Sequence, residues 1–332
     1  MAPFRIADTY RCHRLAGKVL FSTAFLATRE AETKMAKIVE CVPNFSEGRR
    51  KDVVEAIAGE IRSTKGTKLL DVEMDANHNR AVISFVGDIG PVKEAAFAAT
   101  RKAVELIDMN KHKGEHPRIG ALDVLPFVPI SATMEECVEA AKEVGKRIAD
   151  ELGVPIYLYG TAAVRPEMKE LSSVRKGEYE GLKVDIEKDP ARRPDFGPAK
   201  MHPTAGASAV GARPVLIAYN VNLKTTDVSV AKKIAKKIRE KDGGLPTVRA
   251  LGFELKDRGL VQVSMNLTDY KVTPIWVAFE AIAAEAQRLG VAVAGSEVVG
   301  LVPLEAIVQC ADHFLKFENF KIDQTLEVKL WG

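Results

Sequence analysis

Twice along the chain the apolar pattern spells the same order of elements, and that repetition restricts the possible folds more than any single segment does. In the first half, residues 37–42 (KIVECV) read as a strand, ended by Pro43 and the polar turn NFSEG. Residues 49–62 carry Val53, Ile57 and Ile61 at helical spacing. Residues 68–73 (KLLDVE) and 80–86 (RAVISFV) are strands, and the short polar join 74–79 makes them antiparallel neighbours. Pro91, well placed at a first helical position, opens a helix to about residue 107. A strongly apolar strand follows at 121–130. The second half repeats this series: strand 214–221, helix 228–241, paired strands 248–255 and 260–265, helix 273–289, strand 291–299. Each series is β-α-β-β-α-β, the split βαβ order of ferredoxin-like domains. The two copies share negligible sequence identity. The expected fold is therefore α/β (α+β), with two ferredoxin-like α/β sandwich subdomains divided near Arg213, at 37–213 and 214–332.

Between the copies lie a helix at 134–152, a short strand at 155–159 (PIYLY) and a polar stretch at 165–200 interrupted by prolines and glycines. That stretch reads as a long structured loop with one short helix around 172–180. A last helix is expected at 304–314. Residues 1–36 stand apart. Arg5, Arg11, Arg14, Lys18 and Arg29 resemble a transit peptide faintly, but Asp8, Glu30 and Glu32 argue against one. The expectation is a dispensable, disordered N-terminal extension, with the folded protein beginning near Met35.

Composition excludes several classes. At 332 residues there is enough chain for two proper cores. A net charge of +3 is too small to argue for a nucleic-acid surface. No apolar run approaches the roughly 20 residues that span a bilayer, so no membrane partner is expected. Cys12, Cys41, Cys137 and Cys310 form no CxxC pair, which suits a reducing cytoplasm better than a zinc ribbon or a disulfide framework.

The chemistry is expected at residues 108–123, DMNKHKGEHPRIGALD, a polar connection between a patterned helix and a patterned strand. His112 to His116 fits H-x-x-E-H, a zinc peptidase pattern that needs both imidazoles on one helical face. Gly114 lies between them and Pro117 forces His116 towards an extended backbone, so no metal is expected. His116 instead reads as a single acid/base, with a surface histidine of no role as the plainer alternative. Glu73 and the cluster Asn77-His78-Asn79-Arg80 lie at the facing ends of two paired strands. Arg80, with Lys113 and Arg118 of the other loop, would make an anion-binding rim, unless the turn is merely solvated. The run from Gly206 to Gly211 precedes a strand and lacks GK[ST], so it is not a phosphate loop. Lysines 232, 233, 236 and 237 read as the wet side of a helix.

Longer runs carry a resemblance. VECVPNFSEG (39–48), LLDVE and NR (69–80), LIDMNKHKGEHPRIGALDVLPFVPI (106–130), ELGVPIYLYG (151–160), PDFGP (194–198), VGARPVLIAYNVNL (210–223) and GSEVVGLVPLEAI (295–307) resemble the glutamate formimidoyltransferases. The similarity covers nearly everything from Lys37 onwards. It implies transfer of a formimidoyl group from N-formimidoyl-L-glutamate to tetrahydrofolate, a late step of histidine degradation. It also implies formiminotransferase N- and C-terminal subdomains facing each other across a folate cleft, in a cytoplasmic homodimer. Tetrahydrofolate would be a co-substrate, with no metal. The resemblance assigns catalysis to His116, which would carry a proton from the attacking N5 of the folate to the departing glutamate nitrogen with a pKa near neutrality. Glu73, Asn79, Arg80 and Arg118 would bind substrate. The segment Gly197-Pro198-Ala199-Lys200-Met201-His202-Pro203-Thr204-Ala205-Gly206 would bind folate. Two positions depart from the expected pattern: Glu73 stands where an aspartate is expected, and no aromatic lies near Ala205. Animal relatives fuse a cyclodeaminase to this domain, so a separate cyclodeaminase is expected downstream. A folate-binding or 5-formyltetrahydrofolate salvage protein without transfer activity is the alternative, and a metal hydrolase a third.

Overall fold

The computed structural model describes residues 37–76, 78–114 and 116–331. The expected N-terminal extension, residues 1–36, lies outside the described residues, as do Asn77 and Glu115.

The chain enters as β1 (Ile38–Cys41), is interrupted at Pro43, and resumes as β2 (Asn44–Phe45). α1 (Lys51–Ser63), β3 (Thr67–Asp75), β4 (Arg80–Asp88), α2 (Ile89–Leu106) and β5 (Leu122–Pro129) complete the first series. β1 and β2 lie between β4 and β5, and β3 pairs on the far side of β4, all antiparallel. This is the sheet the split βαβ order calls for. α3 (Met134–Leu152), β6 (Ile156–Gly160) and β7 (Ser208–Ala212) then extend it: β7 pairs parallel with β5, and β6 parallel with β7, giving seven strands. α3 begins with a capping box between Thr133 and Glu136 and ends at Gly153 in the left-handed conformation, both signals visible in its sequence. The small-residue run 206–211 was expected to precede a strand. Instead its end is β7, fully buried along its length.

Alternation along β4 separates the two faces of the sheet. Ala81, Ile83 and Phe85 join one core cluster with Val54, Ile57 and Ile61 of α1 and Ala95, Ala96 and Ala99 of α2. Each large side chain buried there contributes about 1.5–3 kcal/mol. Arg80, Val82 and Ser84 consequently stand on the opposite face. The second half forms its own sheet from β8 (Ile217–Leu223), β9 (Val248–Leu255), β10 (Leu260–Leu267) and β11 (Val293–Val299), in the order β11-β8-β10-β9, again antiparallel. α6 (Val228–Ile238) and α7 (Ile275–Arg288) cover it through Ile234, Ala235, Ile282 and Ala286, and this core cluster is separate from the first. The lysines of α6 are exposed, as their spacing implies. α8 (Leu304–Leu315) and α9 (Leu326–Trp331) close the chain.

The stretch 165–200 holds two helices, α4 (Leu171–Val174) and α5 (Glu178–Lys188), where one was expected. α5 buries only Tyr179, Leu182 and Ile186, a stripe too narrow to stand out by periodicity. Polar contacts between the two halves include Gly300 N–H donating to Glu73 Oε1 (2.9 Å) and Arg249 Nη2 donating to Glu170 Oε1 (2.7 Å). No helix of the described residues is long and apolar enough to cross a membrane.

One backbone approach can be tested directly. A Cβ on Gly120 would fall 2.0 Å from the Ala207 carbonyl oxygen and 2.6 Å from that of Ala205. Gly120→Ala is expected to cost about 1–3 kcal/mol or more in urea unfolding, and an unchanged midpoint would show that the contact can relax freely.

Candidate active site

The turn from β3 to β4 is the starting point. The register pairs Asp75 with Arg80 and Glu73 with Val82, so Glu73, Asp75 and Arg80 share the sheet face turned away from α1 and α2. Asp75 closes the turn: its carboxylate accepts His78 N–H at 2.9 Å and lies 2.5 Å from His78 Nδ1. Asn79 then takes φ = 50°, a left-handed conformation that asparagine tolerates better than most residues.

That conformation aims all three polar groups of Asn79 at neighbouring loops. Its Oδ1 accepts Gly48 N–H (2.9 Å), its Nδ2 donates to the Lys113 carbonyl (3.0 Å), and its own carbonyl accepts His112 Nε2–H (2.9 Å). The loops touch so closely that side chains are excluded. A Cβ on Gly48 would lie 2.2 Å from the Asp75 carbonyl oxygen, and one on Gly114 2.2 Å from that of His78. Both glycines therefore belong to the architecture of the site.

Because His112 Nε2 donates to a carbonyl, its Nδ1 carries the lone pair, which accepts Arg118 Nε–H at 3.3 Å. Arg118 is buried, and its other donors go to Glu178 (3.0 Å) and, through both Nη atoms, to Glu180 (2.9 and 2.7 Å). Four of its five N–H groups are thus used. The hydrogen bonds it donates to Glu180 hold its charge in place more firmly than usual. Burial pushes His112 below its ordinary pKa.

His116 differs from this arrangement. Arg80 Nη1 donates to His116 Nε2 at 2.6 Å, and since a guanidinium can only donate, Nε2 holds the lone pair. Burial, then the charges of Arg80 and Arg175, then His78 push the imidazole down from 6.5 to about 2, against a smaller upward pull from the Pro117 backbone. The near-neutral value expected from the sequence is not found in this state, because the guanidinium that faces His116 also opposes its protonation. Asp123, 1% exposed, accepts Ile119 N–H (2.9 Å) and pairs with Arg175. A recess is lined by Ser46, His78, Asn79, Arg80, His112, His116, Arg118 and Asp123.

The structure brings His116, Arg80, Asn79 and Arg118 together, while Glu73 reaches away to Gly300. The segment 197–206 lies against the histidine loop: Thr204 O accepts Met109 N–H (2.7 Å), and Ala205 O accepts Ala121 N–H (2.8 Å). Its first four residues, Gly197 to Lys200, are exposed, whereas Met201, Ala205 and Gly206 are buried. His202 organises the turn, its Nδ1 accepting Ala205 N–H at 2.9 Å. His112, Lys113, Gly114 and His116 are not helical, and among the described residues no group of three or more His, Cys, Asp or Glu side chains is placed to hold a metal ion. Two residues of the site escaped sequence reasoning. Asp123 sits in an apolar strand and Arg175 in the polar Ser-Ser-Val-Arg-Lys-Gly run, where it looks like surface.

Comparison with known proteins gives a consistent result. Residues 38–213 match the family model "Formiminotransferase domain, N-terminal subdomain", and residues 218–331 match "Formiminotransferase domain". The glutamate formimidoyltransferase of Thermoplasma acidophilum is 52% identical over 296 residues, covering 88% of this chain and 97% of that protein. The glutamate formimidoyltransferase of Streptococcus pyogenes is 50% identical over 301 residues, covering 90% of this chain and all of that protein. The formimidoyltransferase-cyclodeaminase of Dictyostelium discoideum is 49% identical over 304 residues, covering 89% of this chain and 56% of that longer protein.

Two measurements test the geometry. Asn79→Asp keeps the acceptor for Gly48 N–H but places carboxylate oxygen against the Lys113 carbonyl. It should cost about 1–3 kcal/mol of stability in urea, and a melt identical to wild type would remove the clasp role. His116 in the ligand-free protein should show no imidazole titration by NMR between about pH 5 and 8. Since its folded pKa lies below the unfolded value, the neutral ring's contribution is complete above about 6.5 and falls as pH drops from there towards 2. His116→Gln should therefore lose less stability than wild type between about pH 6.5 and 4.5, by at most about 1.4 kcal/mol per pH unit.

Proposed function

The chain belongs to the formiminotransferase domain family, and from that membership and the geometry around His116 we propose that it transfers the formimidoyl group of N-formimidoyl-L-glutamate to tetrahydrofolate, giving 5-formimidoyltetrahydrofolate and L-glutamate. The observation that carries the mechanism is the Nε2 lone pair of His116, which lines the recess and, among the described residues, accepts from Arg80 at 2.6 Å.

The folate N5 attacks the formimidoyl carbon, forming one C–N bond and a tetrahedral centre. N5 must then lose its proton, and the glutamate nitrogen must gain one before its C–N bond breaks. A single imidazole between the two nitrogens serves both steps, which is typically worth 10²–10⁴-fold. Positioning the two substrates side by side supplies the rest. For Nε2 to act, Arg80 must exchange the imidazole for an anion. A substrate carboxylate is such an anion, and its charge offsets the cations that hold His116 low.

The remaining roles follow from what each side chain touches. Asn79 and Arg118 are already engaged by protein groups, so their part is to hold the loops and His112 in place, and Arg80 is the clamp that substrate can claim. Glu73 links the halves through Gly300. The segment 197–206 would receive the folate at its exposed end, with buried Ala205 and Gly206 anchoring it. The homodimer and the cytoplasmic location implied by the resemblance remain part of this reading.

The test is a two-substrate assay in which product is converted in acid to the absorbing methenyl form. Signal should require both formimidoylglutamate and tetrahydrofolate, and His116→Ala should lower turnover by about 10²–10⁴-fold. A variant keeping more than about a tenth of wild-type turnover would remove His116 from the proton path. Tight folate binding with no transfer would instead favour the salvage reading.

A further inference from the structure

We propose that Arg175 is a substrate-binding residue, which with Arg80 forms a seat for one carboxylate of the amino-acid substrate beside His116. This rests on the transferase reading above.

Arg175 follows α4 in the stretch 165–200 and meets the recess through Asp123, one of its lining residues. Its Nη2 pairs with Asp123 Oδ2, at the base of β5. Its Nε is buried without a hydrogen-bond partner among the described residues. Arg80 is even less well matched. Among the described residues its side chain meets a neutral imidazole nitrogen and forms no ion pair. Asp123, Asp75 and Glu73 attract it from further away, and each has another engagement: Asp123 with Arg175, Asp75 with His78, Glu73 with Gly300 N–H. Burial and the neighbouring charge of Arg175 both weaken the hold of Arg80 on its proton. A partly buried guanidinium without a counter-ion among the described residues, near a second one, is unfavourable until an anion arrives. Two neighbouring guanidiniums present the forked donors that a carboxylate accepts. Arg118 is excluded from this seat because Glu178 and Glu180 already neutralise it.

Chemistry decides which substrate's carboxylate belongs there. In formimidoylglutamate the α-carboxylate is borne by the carbon bonded to the very nitrogen that carries the transferred group. The carboxylates of tetrahydrofolate lie beyond the aminobenzoyl ring from N5. A carboxylate seat next to the proton-carrying histidine therefore matches the amino-acid substrate. Its occupation also draws Arg80 from His116 Nε2, so that the base becomes available only when the donor substrate is bound.

The experiment titrates L-glutamate, the product, into the ligand-free protein by calorimetry and pairs this with steady-state kinetics. Arg175→Gln should raise the L-glutamate Kd and the KM for formimidoylglutamate by about 10- to 100-fold, the loss expected for hydrogen bonds to a charged group. The KM for tetrahydrofolate should stay within about threefold of wild type. Because Arg175→Gln leaves Asp123 buried and unpaired, the double variant Arg175→Gln with Asp123→Asn is measured alongside, and the same weakening is expected. In the wild-type protein, where folding is not in question, saturating L-glutamate should bring the His116 imidazole into titration between about pH 4 and 8 by NMR. Unchanged L-glutamate affinity in the variants, a rise confined to the KM for tetrahydrofolate, or a His116 signal indifferent to L-glutamate would each overturn the assignment. Arg175-dependent binding of L-glutamate by a protein that shows no transfer would uphold the seat and sink the transferase.

Discussion

The site depends on one primary amide. Asn79 joins the NFSEG loop, the start of β4 and the histidine loop with three hydrogen bonds, each to a backbone group or a ring nitrogen that has a single acceptable partner there. A left-handed residue is needed to aim those groups, and glycines at 48 and 114 are needed to let the loops approach. Fixing His112 through the Asn79 carbonyl sets its tautomer, the tautomer sets which atom can accept from Arg118, and Arg118 in turn ties the loop to the start of α5. The rigid half of the recess is thus a chain of satisfied donors and acceptors running from β4 to α5. Such networks are worth having only when every member is satisfied.

The other half of the recess is left unsatisfied. His116, Arg80 and Arg175 lie close together, Asp123 is the one carboxylate paired directly with them among the described residues, and the charge of Arg175 disfavours protonation of both Arg80 and His116. Stability alone would not favour this arrangement, because a hydrophobic group or a second acid would relieve it. Strongly shifted histidines flanked by unmatched charge in a recess are a mark of function. The two histidines of the loop 108–123 therefore have opposite characters: His112 is fully committed to the scaffold, whereas the lone pair of His116 faces a guanidinium that has no ion-pair partner among the described residues.

Much of this was legible in the sequence. The doubled β-α-β-β-α-β order shows in both sheets because strands such as β1 and β4 alternate between faces, β5 is a continuous apolar run, and each helix buries one stripe, patterns that survive in a single chain without any knowledge of its neighbours. His116 and Arg80 stood out because polar residues interrupted well-patterned elements. Arg175 did not, since its role comes from a segment with weak periodicity folding back over β5, and nothing local to Ser-Ser-Val-Arg-Lys-Gly signals that approach. Asn79 and Arg118 illustrate a different limit. Residue type marked them as able to bind an anion, but whether their donors are free is a tertiary fact, decided by Gly48, Lys113, His112, Glu178 and Glu180. The pKa of His116 is tertiary for the same reason.

Glu73 carries the argument to the second half of the chain. It projects from the same face as Arg80 but spends a carboxylate oxygen on Gly300 N–H, where φ is +71° and the chain leaves β11. Its extra methylene relative to the expected aspartate gives it the reach to bridge to the other half, which a shorter side chain from the same strand position would lack. Arg80, on the adjacent strand and diagonal to Glu73 in the register, stands on the same face and feels the charge of Glu73. The bridge and the cation pair are therefore electrostatically linked: anything that draws Glu73 from Gly300 changes the field at Arg80, and any anion reaching Arg80 changes the field at Glu73.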